Sequence, residues 1–434
     1  MLPDPMCTEC PGHSPTSPQA RSSLAHREAH MSDIDLFDPA TQEDWFPTYR
    51  RLRDEQPVYR MPGTNIHVVT RYDDVLYVLR HQELFPTGSG STRTAAAREV
   101  YETKGWARIT PLSTNPPDHR NYRELVDGFF DAKGSLHWQP IIEATIADLL
   151  DEMQADGSAD YVEAFALPLP VRVITRVLGF PATDIPQLKA WSSAWVLPFS
   201  GPLTPDQEVW VAEQVVEFQH YIHHHIEAKR AEPGDDVLSS LVDARFGGDR
   251  PLSDHEIITI IDHLYIGGNE TTTFALTSAL WLLLREPGLY ERVRADRSLV
   301  EPFIEEALRM ESPTQGLYRT VAVDTAIGGV PVPAGATLHI RYGAANRDER
   351  MFPDPDTVHL DRANVRRHMA FSLGEHHCPG SGLSRLEQQL ALNAVLDRLP
   401  DLRLAEGRND FRHLPGFVLR ALNELHIDWT PAAL

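Results

Sequence analysis

The chain has 434 residues, 42% hydrophobic and 24% charged, with a formal net charge of −22. That composition supplies the core of one large domain or two close-packed ones, and the charge argues against nucleic acid or an anionic membrane surface as the main partner. Of three cysteines, Cys7 and Cys10 lie in a Pro-, Ser- and His-rich stretch, so the folded part has one thiol and no internal disulfide, the pattern of a reducing cytoplasm.

Residues 1–30 read as a disordered tail without a continuous apolar signal core. Met31 is a candidate for the natural start, and 31–434 is expected to be the folded domain. Cys7, Cys10 and His13 lack the second ligand pair that a zinc site needs. The pattern predicts a helix over 38–53, strands over 58–60 and 66–70, and a helix over 71–80. Residues 85–115 lose periodicity and form a long loop with a short helix; loops of that length in compact enzymes are usually functional. Pro116 and Pro117 then mark a helix entrance. His119 and Arg123, four apart, share one face of that helix, which on pattern alone is equally well a solvated polar face.

Helical patterns follow over 137–156, 161–178, 184–199, 205–231 and 236–246. Trp191, Trp195, Leu197 and Phe199 gather before a Pro- and Gly-containing break, and His220 with His223 to His225 reads as a solvated helix face. The segment 254–285 would form a helix of roughly 45–50 Å. Asp262, His263, Asn269 and Glu270 interrupt its apolar run, which makes it a buried helix and no membrane span. Gly267 and Gly268 each cost about 1 kcal/mol there relative to alanine, so something must approach the backbone. Helical spacing sets His263, Ile266, Gly267, Glu270 and Thr271 on one stripe. After it come a helix over 302–310, with Glu306 and Arg309 three apart, and short strands and turns over 319–341.

The stretch FSLGEHHCPG, 371–380, places Cys378 between glycines and just before an amphipathic segment, 382–399. A lone cysteine is most often a small buried hydrophobe. A zinc cluster of Glu375, His376, His377 and Cys378 is disfavoured, because four adjacent residues do not easily face one tetrahedral ion. A helix starting just after the thiol instead favours thiolate, and a thiolate so held could ligate an iron porphyrin.

Phe-x-x-Gly-x-His-x-Cys-x-Gly resembles the haem-binding loop of the cytochrome P450 family. Pro-Pro-x-His-x-x-x-Arg over 116–123, Gly-Gly-x-Glu-Thr over 267–271 and Glu-x-x-Arg over 306–309 resemble three more of its motifs, in the family's order. The resemblance covers roughly 38–430 and implies a mainly α fold with a smaller β-rich part. It implies haem b (iron protoporphyrin IX) on Cys378 in a loop shaped by Phe371, Gly374 and Gly380. Its propionates would meet His119, Arg123, Arg319, His368 and His376. Glu270 and Thr271 would deliver protons where the long helix is locally opened, and Glu306, Arg309 and Arg362 would form a buried structural group. Ser372 and Ser384 depart from the common glycine and alanine, which puts the loop's flexibility in question.

By the same resemblance the reaction inserts one oxygen atom from O2 into a small, largely apolar organic substrate beneath a lid near Trp195 and Phe199. His263, Ile266, Gly267 and Gln315 would line the pocket, the two polar side chains meeting a polar group on the substrate. No Gly-x-Gly-x-x-Gly follows a strand, so a separate ferredoxin with its reductase is implied, docking on a basic patch of Arg362, Arg366 and Arg367. A peroxide-dependent peroxygenase and a non-catalytic haem sensor are the alternatives; the retained acid–alcohol pair speaks against both. The lack of an N-terminal membrane anchor resembles the bacterial members, a cytoplasmic protein.

Overall fold

The computed structural model describes residues 34–88, 94–107 and 109–431; the expectations for the tail, Cys7, Cys10, His13 and Met31 lie outside them. Two long helices cross the helical part. α8 (Pro205–Ala231) and α9 (Asp254–Arg285) each begin with a capping box, Thr204 with Gln207 and Ser253 with Glu256, which satisfies N–H groups the first turn leaves free. α9 is buried along most of its length, between α6 (Pro168–Leu178), α7 (Ile185–Val196), α8, α10 (Val300–Met310) and α12 (Ser381–Arg398). Among the described residues no helix is long and apolar enough to cross a membrane.

Among the described residues the β-rich part is one four-stranded sheet with three smaller sheets. Its strands, β1 (Val58–Arg60), β2 (Ile66–Val69), β3 (Gly316–Thr320) and β4 (Thr337–Arg341), lie in the order β1-β2-β4-β3, and only β2 and β4 run parallel. The register pairs Val69 with Ile340 and Arg319 with Leu338. A fold mainly of helices with a smaller β part is what the sequence implies.

The boundaries differ where a local device intervenes. The helix expected over 38–53 breaks at Asp44, whose carboxylate caps the α1 helix (Trp45–Glu55) by accepting from Phe46 N–H. The helix expected over 161–178 is a π-helical turn, Val162–Ala166, followed by α6, which starts at Pro168 because proline has no N–H to continue the ladder. The long loop holds the ten-residue α3 (Ala95–Lys104), after α2 (Tyr72–Arg80). Its Ala97, Val100 and Tyr101 form a separate small core with Val211, Ala212 and Val215 of α8.

Candidate active site

The cysteine loop is closed by its own backbone: Cys378 N–H donates to the Phe371 carbonyl at 2.9 Å. Gly374 has φ +77°, and a Cβ there would stand 3.1 Å from the Leu79 carbonyl oxygen, so conformation and space both call for glycine. At Gly380 a Cβ would touch only Cys378 Sγ, at 3.9 Å. Ser372 adopts φ +59°, a left-handed conformation that costs a residue with a Cβ about 1–2 kcal/mol. Its Oγ accepts from the Tyr342 hydroxyl at 3.0 Å, so this departure from glycine ties the loop down where the sequence suggested a change in flexibility.

Burial pushes the Cys378 thiol up; the Gly380 N–H, Arg123 and Arg385 pull it down, but less. The expectation that the helix start alone favours thiolate is thus corrected, since desolvation disfavours the charged form more strongly. A thiol that coordinates a metal ion is deprotonated by the ion itself.

Four of the expected carboxylate-binding residues come together beside the loop. His119, on α4 (Asp118–Glu124), is 1% exposed, and its ring stands 4.1 Å from that of His376. Neither ring nitrogen of His119, nor Nε2 of His376, has a hydrogen-bond partner among the described residues. Glu375 is 3.6 Å from His119 Nδ1, beyond a hydrogen bond. Arg123 bonds Asp127 at 2.6 Å, and the nearly buried Arg319 gives one N–H to the Tyr318 carbonyl at 2.8 Å. Burial, then His119, Arg319 and Arg123, hold His376 down to about 3. The group therefore concentrates cationic side chains around buried, unmet ring nitrogens.

His368 does not join them. Its Nε2 bonds Glu305 at 3.0 Å and its Nδ1 accepts from Ala370 N–H at 3.2 Å. Both ring nitrogens are spent, so the propionate contact implied for His368 is replaced by a structural one. Burial alone would raise Glu305, yet hydrogen bonds from His368 and Arg385 hold its carboxyl at about 2.

On α9 the ladder continues through the Gly-Gly-x-Glu-Thr segment, with Thr271 Oγ1 donating to the Gly267 carbonyl at 2.9 Å. The local opening implied by the resemblance is absent. The two glycines serve different ends: a Cβ at Gly268 would press Ile174 Cδ1 of α6 at 3.0 Å, whereas one at Gly267 would meet nothing within 4 Å. Half-buried His263, exposed Gly267 and half-buried Thr271 form an open stripe on an otherwise buried helix. Ile266 and Glu270 are buried beside it, so the expected five-residue stripe narrows to three.

Glu270 is ion-paired with Lys189 of α7 and accepts from Ser192 at 3.3 Å, while Asn269 holds Ser192 at 3.0 Å. The pair lines a cavity of about 320 Å³ between α7, α9 and the loop around Leu414 to Asn423. His263 meets Trp195 edge to face at 6.2 Å. Gln315 is fully buried and engaged, accepting from Tyr49 at 2.9 Å and donating to the Ser312 carbonyl at 2.7 Å. Its amide serves the core, and it drops out of the substrate-contacting residues.

Glu306 receives Arg309 through two bonds, at 2.7 and 2.9 Å, and Arg362 at 2.8 Å, with the glutamate and Arg309 fully buried. Arg362 is therefore no part of a surface patch. Arg366 is ion-paired with Glu301, while exposed Arg367 lies over the Tyr72 ring at 5.9 Å and keeps its charge, so the expected basic patch is reduced to one uncompensated arginine among these three. Lys189, Ser192, Glu305, Arg385 and Tyr342 were not legible as site residues in the sequence, because each acts through a partner at least 30 residues away.

A helical fold with a cysteine loop, an open stripe on its longest helix, and unmet histidine nitrogens with two arginines beside the loop is suited to a flat, anionic cofactor. The Cytochrome P450 family model matches residues 171–423. Cytochrome P450 107B1 of Saccharopolyspora erythraea is 33% identical over 406 residues, 92% of this chain and 98% of that protein. The mycinamicin IV hydroxylase/epoxidase of Micromonospora griseorubida is 34% identical over 387 residues, 88% and 94% of the two chains. The solved haem domain of a Tepidiphilus thermophilus P450 has a TM-score of 0.86 at 28% identity, covering 93% of this chain and 98% of that one. The chain belongs to the cytochrome P450 family and is a monooxygenase whose cofactor is haem.

The residues present fit that group. Open space at Gly267 leaves room on the α9 side, Cys378 offers a ligand of the right chemistry, and the orphaned nitrogens of His119 and His376 suit a carboxylate.

Proposed function

We propose that this enzyme inserts one oxygen atom from O2 into a small, largely apolar organic substrate bearing at least one polar group, with Cys378 as iron ligand. The observation that carries the site assignment is the set of buried, orphaned ring nitrogens of the His119–His376 pair next to the cysteine loop. Buried polar groups are normally satisfied, and the propionates of a bound haem would satisfy these, with Arg123 and Arg319 adding charge. Haem, when bound, supplies the chemistry of O2 activation. Thr271 then holds a hydroxyl on the open stripe of α9, and Glu270 holds its carboxyl group, paired with Lys189, at a cavity on its flank.

The pocket assignment keeps His263 and Gly267 on that stripe, with Ile266 as adjoining wall. A relative named mycinamicin IV hydroxylase/epoxidase supports an organic substrate that takes up an oxygen atom. Electrons come from a separate ferredoxin and its reductase, and we place the enzyme in the cytoplasm, where its one folded-part thiol stays reduced.

Two measurements test the reading. The reduced protein under CO should show the haem-thiolate band, and Cys378→Ser should lose it; an unchanged spectrum overturns the ligand assignment. Product formation with ferredoxin, reductase and O2 is expected; product with peroxide alone would overturn the electron source.

A further inference from the structure

Ahead of the cysteine loop, four residues make a tight turn: Ser372 N–H donates back to the Met369 carbonyl at 2.9 Å. Both ends of the turn are held by one short helix, α11 (Tyr342–Ala345), and the residue after it. Asn346 Oδ1 accepts from Met369 N–H at 2.6 Å. One helical turn earlier, the Tyr342 hydroxyl donates to Ser372 Oγ at 3.0 Å. Tyr342 is 1% exposed and Ser372 6%, so water competes little for this bond. Asn346 is fixed in turn, by its Nδ2 on Ser312 Oγ at 2.8 Å and by Arg309 on its carbonyl at 3.0 Å.

The turn matters for Cys378 because the peptide between Phe371 and Ser372 carries the carbonyl that accepts from Cys378 N–H at 2.9 Å. The left-handed φ of Ser372, +59°, sets the plane of that peptide and so aims the carbonyl across the loop. A serine reaches this conformation only at a cost, and left to itself it would relax to an extended one.

We infer that Tyr342 is a positioning residue for the cysteine loop: together with Asn346 it clamps the 369–372 turn, and its hydrogen bond holds Ser372 in the left-handed conformation that keeps the Phe371 carbonyl on Cys378 N–H. The inference rests on the haem reading for its consequence, since a loosened loop would let haem leave faster. It concerns only this chain's own bonds for its cause.

The test is a double-mutant cycle on purified holoenzyme. Tyr342→Phe keeps the ring and deletes one buried hydroxyl bond, and Ser372→Ala deletes the acceptor; each should speed haem transfer to an excess of apoglobin by about fivefold. The double variant should be no faster than either single one, and Ser372→Gly should lie close to wild type, because glycine reaches the turn without help. Hydrogen exchange of the Cys378 amide in haem-free protein should quicken in Tyr342→Phe, a readout that needs no haem. Unchanged amide exchange together with unchanged haem transfer overturns the inference, as does an additive double variant. Failure of the wild-type protein to take up haem at all would instead overturn the haem reading, with the amide exchange still deciding the clamp.

Discussion

Lys189 and Glu270 form an ion pair across the contact between α7 and α9, the carboxylate 8% exposed and the ammonium 23%. Thr271, the next residue, turns its hydroxyl onto the Gly267 carbonyl on the open stripe. Acid and alcohol thus occupy neighbouring surfaces of one helix. Thr271→Ala should keep haem content and substrate binding but divert electrons from product, and Glu270→Gln should slow product formation by about 100-fold. Lys189→Met should weaken the protein by about 1–3 kcal/mol, since it leaves a nearly buried carboxylate unpaired. Oxygen uptake measured against product decides the first two; full coupling at normal rate would remove the pair's role.

Glu306, Arg309 and Arg362 belong to the stability of the fold. Replacing Arg309 by leucine removes two bonds from the fully buried Glu306 carboxylate, leaving it Arg362 and the His359 N–H, and should cost about 3–5 kcal/mol, a large share of a typical folding free energy. Arg309→Lys should fall short of wild type too, because an ammonium cannot reproduce the planar fork on Glu306 together with the bonds to the Asn346 and Pro355 carbonyls. Urea unfolding of the two variants checks this, and a loss under about 1 kcal/mol in Arg309→Leu would contradict the assignment.

Acid should destabilise the haem-free protein through His376. Its ring is held down to about 3 when folded, first by burial, against an ordinary 6.5. The unfolded chain therefore binds the extra proton first, and stability falls as pH drops from about 6.5 towards 3. At pH 5 the effect should be about 1–2 kcal/mol, the lower figure allowing for solvent screening of a half-buried ring. Thermal melts of haem-free wild type and His376→Gln between pH 7 and 5 should converge at the acid end; parallel curves would contradict the coupling.

His263 and Gln315 should now separate. His263→Phe is expected to weaken binding of a ligand with an oxygen or nitrogen function about tenfold more than binding of its hydrocarbon analogue, by stranding a polar group in the pocket. Gln315→Leu should instead lower stability, since it strands the Tyr49 hydroxyl, and leave selectivity alone. Spectral titration with the two ligands, alongside melting, tells them apart. Equal losses for both ligands in His263→Phe would sink the substrate role.

Spacing within a turn or two of backbone was enough to mark the separate helical segments, the glycines at 267 and 374 and the pairing of Glu306 with Arg309, while the fold class and the role of the cysteine loop followed from the motifs' resemblance to a family. Haem chemistry, too, was implied by residues within ten positions of Cys378. Partners became visible once distant segments were packed together. His368 and Gln315 look like free polar groups in one dimension, yet Glu305 and Tyr49, 63 and 266 residues away, occupy them. Arg362 is expected both in a buried group and on a surface patch, and its side chain lies on Glu306, while Tyr342 carries no motif and reaches Ser372. The physical reason is shared: inside a packed protein each buried donor and acceptor must be satisfied by whatever the fold brings against it, and distant segments compete for those places in ways that local spacing does not record.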